Sequence, residues 1–124
     1  VHEVGHTLGL RHNFAGSSTI PYASIYDQTK TSTTGSSSSV MDYVGPVIAP
    51  TAALQKNTLV FPDGHIVGAY DRLAIEYGYT TVSDEQPTVQ HASIHAIAEK
   101  LNTNHLVFAT DDDASFDTDP LARR

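Results

Sequence analysis

The sequence HEVGHTLGLRH runs from His2 to His12 and fits the pattern HExxHxxGxxH, which dictates the local fold of this stretch. On a helix, residues four apart share a face, so His2 and His6 can each aim a ring nitrogen at one metal ion. A helix continued to His12 would place that residue about 15 Å along the axis from His2, too far to share the ion. We therefore expect the helix to stop at Gly9, which adopts a left-handed conformation cheaply and returns His12 toward the metal.

The residue types in this stretch match a catalytic zinc site. Three neutral imidazoles would leave the fourth position of a tetrahedral zinc ion for water. Glu3 is turned roughly 100° away from His2 around the helix, so it is better placed to hold that water than to bind the ion. The alternative is a short amphipathic helix with surface histidines and a glycine cap. Five fixed residues arise by chance about once in three million start positions, which favours the zinc site.

The single methionine of the chain lies downstream of the histidines, in the sequence SVMDY at Ser39–Tyr43. A lone methionine is often a flexible filler of the core. In this position, however, SVMDY resembles the Met-turn of astacins and serralysins, a tight turn beneath the metal of metzincin proteases. The resemblance implies that Met41 shapes the site and that Tyr43 lies near zinc, where it can hydrogen-bond the oxyanion. The alternative for Tyr43 is a packed aromatic ring with a satisfied hydroxyl.

A third stretch, GAYDRLAIEYGY at Gly68–Tyr79, has the periodicity of a helix. Its apolar residues share one helical face: Tyr70, Leu73, Ala74 and Tyr77. We expect a helix over about residues 69–77, closed by Gly78. Alone, this pattern predicts only a packing helix. Together with HEVGHTLGLRHNF, SVMDY and the later runs FATDDDA and DPLA, it resembles the bacterial EcxA-like metzincins over nearly the whole chain.

This resemblance implies an α+β fold, the zincin-like metzincin catalytic domain. Residues 1–124 would form its mainly helical, loop-rich C-terminal portion, with a small hairpin. It also implies that a missing N-terminal half of the catalytic domain, with a twisted sheet that aligns the substrate, is the natural partner of this portion. The EcxA-like family is largely exported, so we expect a periplasmic or extracellular location.

The function that the resemblance implies is a zinc-dependent endopeptidase that hydrolyses peptide or protein substrates. His2, His6 and His12 would bind Zn²⁺, Glu3 would act as general base toward the water, and Tyr43 would hold the oxyanion. Two alternatives stay open: a noncatalytic zinc-binding or interaction module, and a purely structural domain that binds no zinc. A fragment without its N-terminal half could also be inactive.

Composition restricts the partners. The net charge of −7 and the pI near 5.3 argue against binding to nucleic acid or to an anionic membrane surface. No apolar run approaches 18 residues, so we expect no membrane span. The chain has no cysteine, which leaves histidine and carboxylate as its metal ligands.

The rest of the chain gives weaker expectations. The Ser/Thr-rich stretch 28–39 predicts a mobile surface loop because it has little apolar surface to bury. Residues 58–61 and 65–67 flank the turn signal PDG, which predicts a small hairpin. An apolar stripe predicts a helix over about residues 87–102. Residues 105–110 could add a short strand.

Two further clusters offer alternative metal chemistry. His91 and His95 lie four apart, but without a nearby acid or third ligand we favour solvent-facing histidines. In the acidic tail, residues 111–124, aspartates at alternate positions are typical of a calcium loop. Phe116 stands where an EF-hand needs glycine, and Ala122 where it needs glutamate. We therefore favour a solvated or arginine-paired tail.

Overall fold

The computed structural model describes residues 1–45, 47–48, 59–60, 66–81 and 87–113, and this part of the chain is mainly helical. The helices are α1 (His2–Thr7), α2 (Tyr22–Ile25), α3 (Gln28–Thr34), α4 (Ala69–Tyr79) and α5 (Pro87–Thr103), with a short 3₁₀ helix at Gly16–Thr19. Strands β1 (Val47–Ile48) and β2 (Leu59–Val60) pair in antiparallel orientation. Within these ranges, no helix combines the length and apolar character that a bilayer crossing requires.

The interior of the described part is small and partly polar. Its buried apolar side chains are Val40, Met41, Leu73 and Ile97. Leu73 and Ile97 belong to α4 and α5, which pack against each other. Asp71 is fully buried as well, in the first turn of α4. With so few apolar side chains inside, hydrogen bonds fix much of the geometry around residues 39–43.

The prediction of a mobile surface loop over residues 28–39 was wrong. Asp27 caps α3 by accepting hydrogen bonds from the N–H groups of Thr29 and Lys30, at 3.1 and 3.4 Å. The helix ends at Gly35, whose φ is +76°. Residues 36–39 that follow are buried. Polar composition misled the prediction because the serine and threonine side chains satisfy nearby backbone groups.

The predicted hairpin was wrong in its pairing partner. Strand β2 pairs with β1, which precedes it, with Val47 opposite Val60 and Ile48 opposite Leu59. Valine and isoleucine favour strands. Because the entropic cost of closing a loop rises slowly with its length, the longer connection between β1 and β2 adds little to the free energy of pairing. Residues 61–65 lie outside the described ranges, and residues 66–67 are not in a strand.

Helix α4 continues through Gly78, which is therefore not the cap that we expected. The backbone N–H of Thr80 bonds to the carbonyl of Glu76 at 3.0 Å, which completes the last turn. The hydroxyl of Tyr79 donates to the carbonyl of Leu8 at 3.2 Å. The C-terminal end of α4 is thus attached to the chain just after α1.

The later elements differ from expectation in two respects. Helix α5 ends at Thr103, one residue beyond the expected helix. Residues 105–110 form no strand, because His105 has a φ of +52° and breaks the extended backbone. The sheet within the described ranges consists of two strands of two residues each, so the α+β class is not confirmed and stays a prediction. His95 is exposed, and the side chain of His91 lies outside the described part.

Candidate metal centre

Helix α1 ends where Gly9 lets the chain reverse. Gly9 has a φ of +85°. The N–H of Leu10 bonds to the carbonyl of Gly5, and the N–H of Gly9 bonds to the carbonyl of His6, both at 3.0 Å. These two hydrogen bonds form a Schellman motif, which closes a helix with a left-handed residue. The turn brings His12 back toward α1.

The three histidines of the opening stretch come together. One ring nitrogen from each of His2, His6 and His12 lies within 4.8 Å of the other two. A tetrahedral ion with zinc–nitrogen bonds of about 2.0 to 2.1 Å needs nitrogens roughly 3.3 Å apart, so the cluster can close on an ion by small side-chain movements. Among the described residues, no other group of three or more histidine, aspartate or glutamate side chains is so placed.

Each of these histidines has an oxygen acceptor at Nδ1. The Nδ1 distances are 2.7 Å from His2 to the carbonyl of Val40, 2.9 Å from His6 to the carbonyl of Leu10, and 3.0 Å from His12 to a carboxylate oxygen of Asp111. Carbonyl and ionised carboxylate oxygens can only accept, so Nδ1 carries the proton in every ring. The lone pair of each neutral ring is therefore on Nε2, which is the tautomer that binds zinc through Nε2.

Of the three Nε2 atoms, that of His2 is the one most in need of a partner such as a metal ion. Among the described residues it is a buried atom without a hydrogen-bond partner. Leaving a buried acceptor unsatisfied costs about 1 to 3 kcal/mol, and a zinc ion would satisfy it. Neutral imidazole nitrogen is a preferred zinc donor. The donor set of three imidazoles therefore fits Zn²⁺.

Met41 packs directly against α1. It is fully buried, and a methyl group on Gly5 would overlap its sulfur atom. Only glycine at position 5 permits this close approach. The carbonyl of Met41 also accepts a hydrogen bond of 3.0 Å from the N–H of Asn13. The turn at residues 39–43 thus contacts both the helix with His2 and His6 and the residue that follows His12.

A buried carboxylate holds this turn in place. Asp71 accepts hydrogen bonds from the hydroxyl of Ser39 at 2.6 Å, from the N–H of Val40 at 2.8 Å and from the N–H of Gly68 at 2.9 Å. The carbonyl of Val40 is also the acceptor for His2 Nδ1. Asp71 therefore fixes the residue that orients one of the predicted ligands.

Tyr43 lies against the histidine cluster. Its hydroxyl is 2.9 Å from Nε2 of His12, and its ring stacks on that of His2 with centroids 5.1 Å apart. Because Nδ1 of His12 carries the proton, the Tyr43 hydroxyl donates to Nε2. Glu3 is exposed and does not belong to the cluster of ring nitrogens. Its carboxylate is therefore not committed to the metal position.

This arrangement, with three histidines beside a turn that contains Met41, agrees with one known family. A family profile described as Met-zincin matches residues 1–124. The chain belongs to the Met-zincin family. Membership confirms the metzincin-like family predicted from HExxHxxGxxH and SVMDY, and it implies zinc binding. The EcxA-like assignment stays a prediction. No curated protein and no solved structure matches the chain.

Two carboxylates of this Met-zincin site were missed by the sequence analysis. Asp71 was considered only as part of a packing helix, although an acid three residues after Gly68 is typical of the first turn of a helix. Asp111 was considered only as one aspartate of the acidic tail, for which a calcium loop was weighed and a solvated or arginine-paired tail was favoured. Its partner His12 lies 99 residues away in the sequence. No local pattern could have indicated that contact.

The first aspartates of the acidic tail carry negative charge beside the cluster. The hydrogen bond from His12 lowers the pKa of Asp111, and the hydrogen bond from Arg11 lowers the pKa of Asp112. Arg11 and Asp112 form an exposed ion pair with an N–O distance of 2.7 Å. Both carboxylates are therefore ionised at neutral pH. Residues 114–124 of the tail lie outside the described ranges.

Proposed function

We propose that the chain carries the active site of a zinc-dependent endopeptidase. The observation that carries the proposal is the orientation of the three histidines. Oxygen acceptors at Nδ1 leave three Nε2 lone pairs for one ion, and the lone pair of His2 is buried without a partner. Membership of the Met-zincin family supports hydrolysis of peptide bonds as the reaction.

The roles of the side chains follow from their positions. His2, His6 and His12 would hold the ion through Nε2. When bound, zinc lowers the pKa of a water molecule and polarises the scissile carbonyl. Glu3 accepts a proton from the attacking water and delivers it to the leaving amine. The exposed carboxylate of Glu3 is suited to this exchange because it is not part of the histidine cluster.

Tyr43 is proposed to donate a hydrogen bond to the oxyanion that forms on the substrate carbonyl. Its hydroxyl donates to the lone pair of His12 Nε2, which a metal ion would use instead. The hydroxyl then becomes available to an oxygen of the substrate. Stacking on His2 keeps the ring beside the cluster during this exchange. Donors aimed at a developing oxyanion are among the largest contributions to catalysis.

The substrate class, the partner half and the location belong to the same proposal. The substrate is a peptide or protein, the enzyme is an EcxA-like metzincin, and it acts in the periplasm or outside the cell. Val1, Val4 and Leu8 leave an apolar strip exposed along α1, with 54, 58 and 44% of their surface accessible. We propose that the N-terminal half of the catalytic domain covers this strip in the natural protein.

The test compares three variants of the natural full-length protein. Glu3→Gln removes the proposed base, His12→Ala removes a ligand, and Glu99→Gln is a control at an exposed acid of α5. Zinc content is measured by mass spectrometry, and cleavage is measured on an unstructured protein. We expect Glu3→Gln to keep its zinc and to lose about 100-fold to 10,000-fold in kcat.

The outcomes separate the competing functions. His12→Ala should lose both zinc and cleavage, whereas Glu99→Gln should match the parent. Equal cleavage by the parent and Glu3→Gln would remove Glu3 from the mechanism. Stoichiometric zinc in a parent that cleaves nothing would support the noncatalytic module instead. A parent that binds no zinc would support the purely structural domain.

A further inference from the structure

The three histidines of the cluster differ in what holds their Nδ1 atoms. Backbone carbonyls hold His2 and His6, so the orientation of these two rings does not depend on which side chains the acceptor residues carry. His12 is held by a side chain, the carboxylate of Asp111, whose two oxygens lie 3.0 and 3.2 Å from Nδ1. The orientation of His12 therefore depends on the identity of a residue 99 positions away.

We propose that Asp111 is the positioning residue of the third zinc ligand, since its carboxylate holds the Nδ1–H of His12 and directs Nε2 to the metal. The proposal rests on the proposed function, because it assumes that His12 binds zinc. Carboxylates that accept from a ligating histidine fix the ring and increase its basicity. Asp111 would thus act on the metal through His12, without touching the ion or the substrate.

The chain around Asp111 is built to present this carboxylate. Asp111 lies in a turn in which the N–H of Thr110 bonds to the carboxylate of Asp113 at 2.9 Å, and the N–H of Asp113 bonds to the carbonyl of Thr110 at 3.0 Å. Thr110 is buried, so the first residue of this turn is held in the interior. These bonds fix the backbone at Asp111, from which its carboxylate reaches Nδ1 of His12.

The segment before this turn is fastened to the residues that follow His12. The side-chain amide of Asn13 donates to the carbonyl of Val107 at 3.0 Å, and its oxygen accepts from the N–H of Ala109 at 3.2 Å. The N–H of Phe14 donates to the carbonyl of Ala109 at 2.8 Å. Asn13 is fully buried. These bonds tie the backbone beside His12 to the backbone beside Asp111, so the two side chains keep their relative positions.

A role confined to folding does not account for Asp111. Its side chain is 55% exposed, so its truncation opens no cavity in the core. Both of its carboxylate oxygens lie close to the same ring nitrogen of His12. The contact therefore serves the ring orientation of His12.

The experiment measures zinc affinity directly in the full chain, with Zn²⁺ alone as the probe and a chromophoric chelator as competitor. The variants are Asp111→Ala, which removes the acceptor, and Asp111→Asn, which keeps a neutral acceptor oxygen. The matched control is Asp112→Ala, which removes the same charge one residue away at a side chain that contacts Arg11. We expect Asp111→Ala to weaken zinc binding by about 10-fold to 100-fold and Asp112→Ala to leave it within about twofold.

Asp111→Asn should recover part of the lost affinity, because its carbonyl oxygen can still accept from Nδ1. Substitution with Co²⁺ provides a second readout, since the visible spectrum of the bound ion should change in Asp111→Ala and not in Asp112→Ala. The thermal stability of the metal-free chain should be similar for all variants. Unchanged zinc affinity in Asp111→Ala would overturn the proposal, and so would an equal loss in Asp112→Ala.

Failure of the proposed function gives a different result. If the parent binds zinc and loses it in Asp111→Ala but cleaves no substrate, the positioning role of Asp111 stands and the endopeptidase does not. If the parent cleaves peptides and Asp111→Ala keeps full zinc affinity, the endopeptidase stands and the positioning role is wrong.

Discussion

The position of the third proposed ligand depends on one backbone dihedral angle. Gly9 has a φ of +85°, and a side chain at this position would meet no atom within 4 Å. Gly9→Ala therefore adds conformational strain without steric overlap. We expect it to lower the free energy of unfolding by about 1 to 2 kcal/mol and to weaken zinc binding, because His12 moves away from His2 and His6. Denaturant unfolding and competitive zinc titration measure the two effects.

The control is Gly78→Ala. Gly78 lies in the last turn of α4, has no left-handed φ, and has open space around it. Alanine has the higher helix propensity, so this variant should be more stable by up to about 1 kcal/mol, with unchanged zinc affinity. If the two alanine variants changed stability in the same direction, the backbone of Gly9 would not be the cause.

At the scale of residues, the sequence could predict what local geometry decides. His2, His6, Gly9 and His12 follow from helix periodicity and the conformational freedom of glycine, and the structure brings the three histidines together. Asp111 could not be predicted in the same way. Its contact with His12 depends on how distant segments pack, and the pattern of the neighbouring aspartates favoured only a solvated or arginine-paired tail.

At the scale of elements, Asp71 joins α4 to the methionine turn. It is fully buried and accepts hydrogen bonds from Ser39, Val40 and Gly68. Asp71→Ala would leave two buried N–H groups without an acceptor, and we expect a loss on the order of 3 kcal/mol in the free energy of unfolding. Because Val40 orients His2, zinc affinity should fall as well. Denaturant unfolding of the zinc-free chain measures the first effect, and zinc titration measures the second.

Glu76 of the same helix provides the comparison. It is partly exposed and pairs with Lys100 on α5. An exposed ion pair contributes little to stability, so Glu76→Ala should lower the free energy of unfolding by less than about 1 kcal/mol. Zinc affinity should be unchanged. Similar losses in Asp71→Ala and Glu76→Ala would mean that the buried hydrogen bonds of Asp71 do not stabilise the turn.

The elements also show why composition was a poor guide in two places. Residues 28–39 are rich in serine and threonine, yet they form α3 and a buried segment, because Asp27 caps the helix and Asp71 and Gly16 pair with the buried serines. For β2, the sequence offered strand-prone residues on both sides. The choice of β1 as its partner is a tertiary contact, which strand propensity does not determine.

At the scale of the whole molecule, zinc should act as a stabilising ligand. An ion that binds only the folded chain adds about 4 kcal/mol of stability at a concentration 1,000 times its Kd. We therefore expect a zinc-selective chelator to lower the Tm of the zinc-loaded chain. A calcium-selective chelator should leave the Tm unchanged, because the histidine cluster is the group of potential ligands in the described part.

His12→Ala is the control for this effect. Its Tm should be low in the absence of chelator and should not respond when the zinc-selective chelator is added. If the Tm of the parent did not change on addition of the zinc-selective chelator, the link between zinc and stability would be contradicted. A response to the calcium-selective chelator alone would point to the acidic tail.

The acceptors that orient the three histidines come from residues 10, 40 and 111. The first contact is local and can form as soon as α1 ends. The contact between His12 and Asp111 closes the longest loop of the three, and contacts of large sequence separation form slowly. We therefore expect the set of ligands to be completed late in folding. Binding of one ion by all three histidines would then indicate that the segments around His12 and Asp111 have already come together.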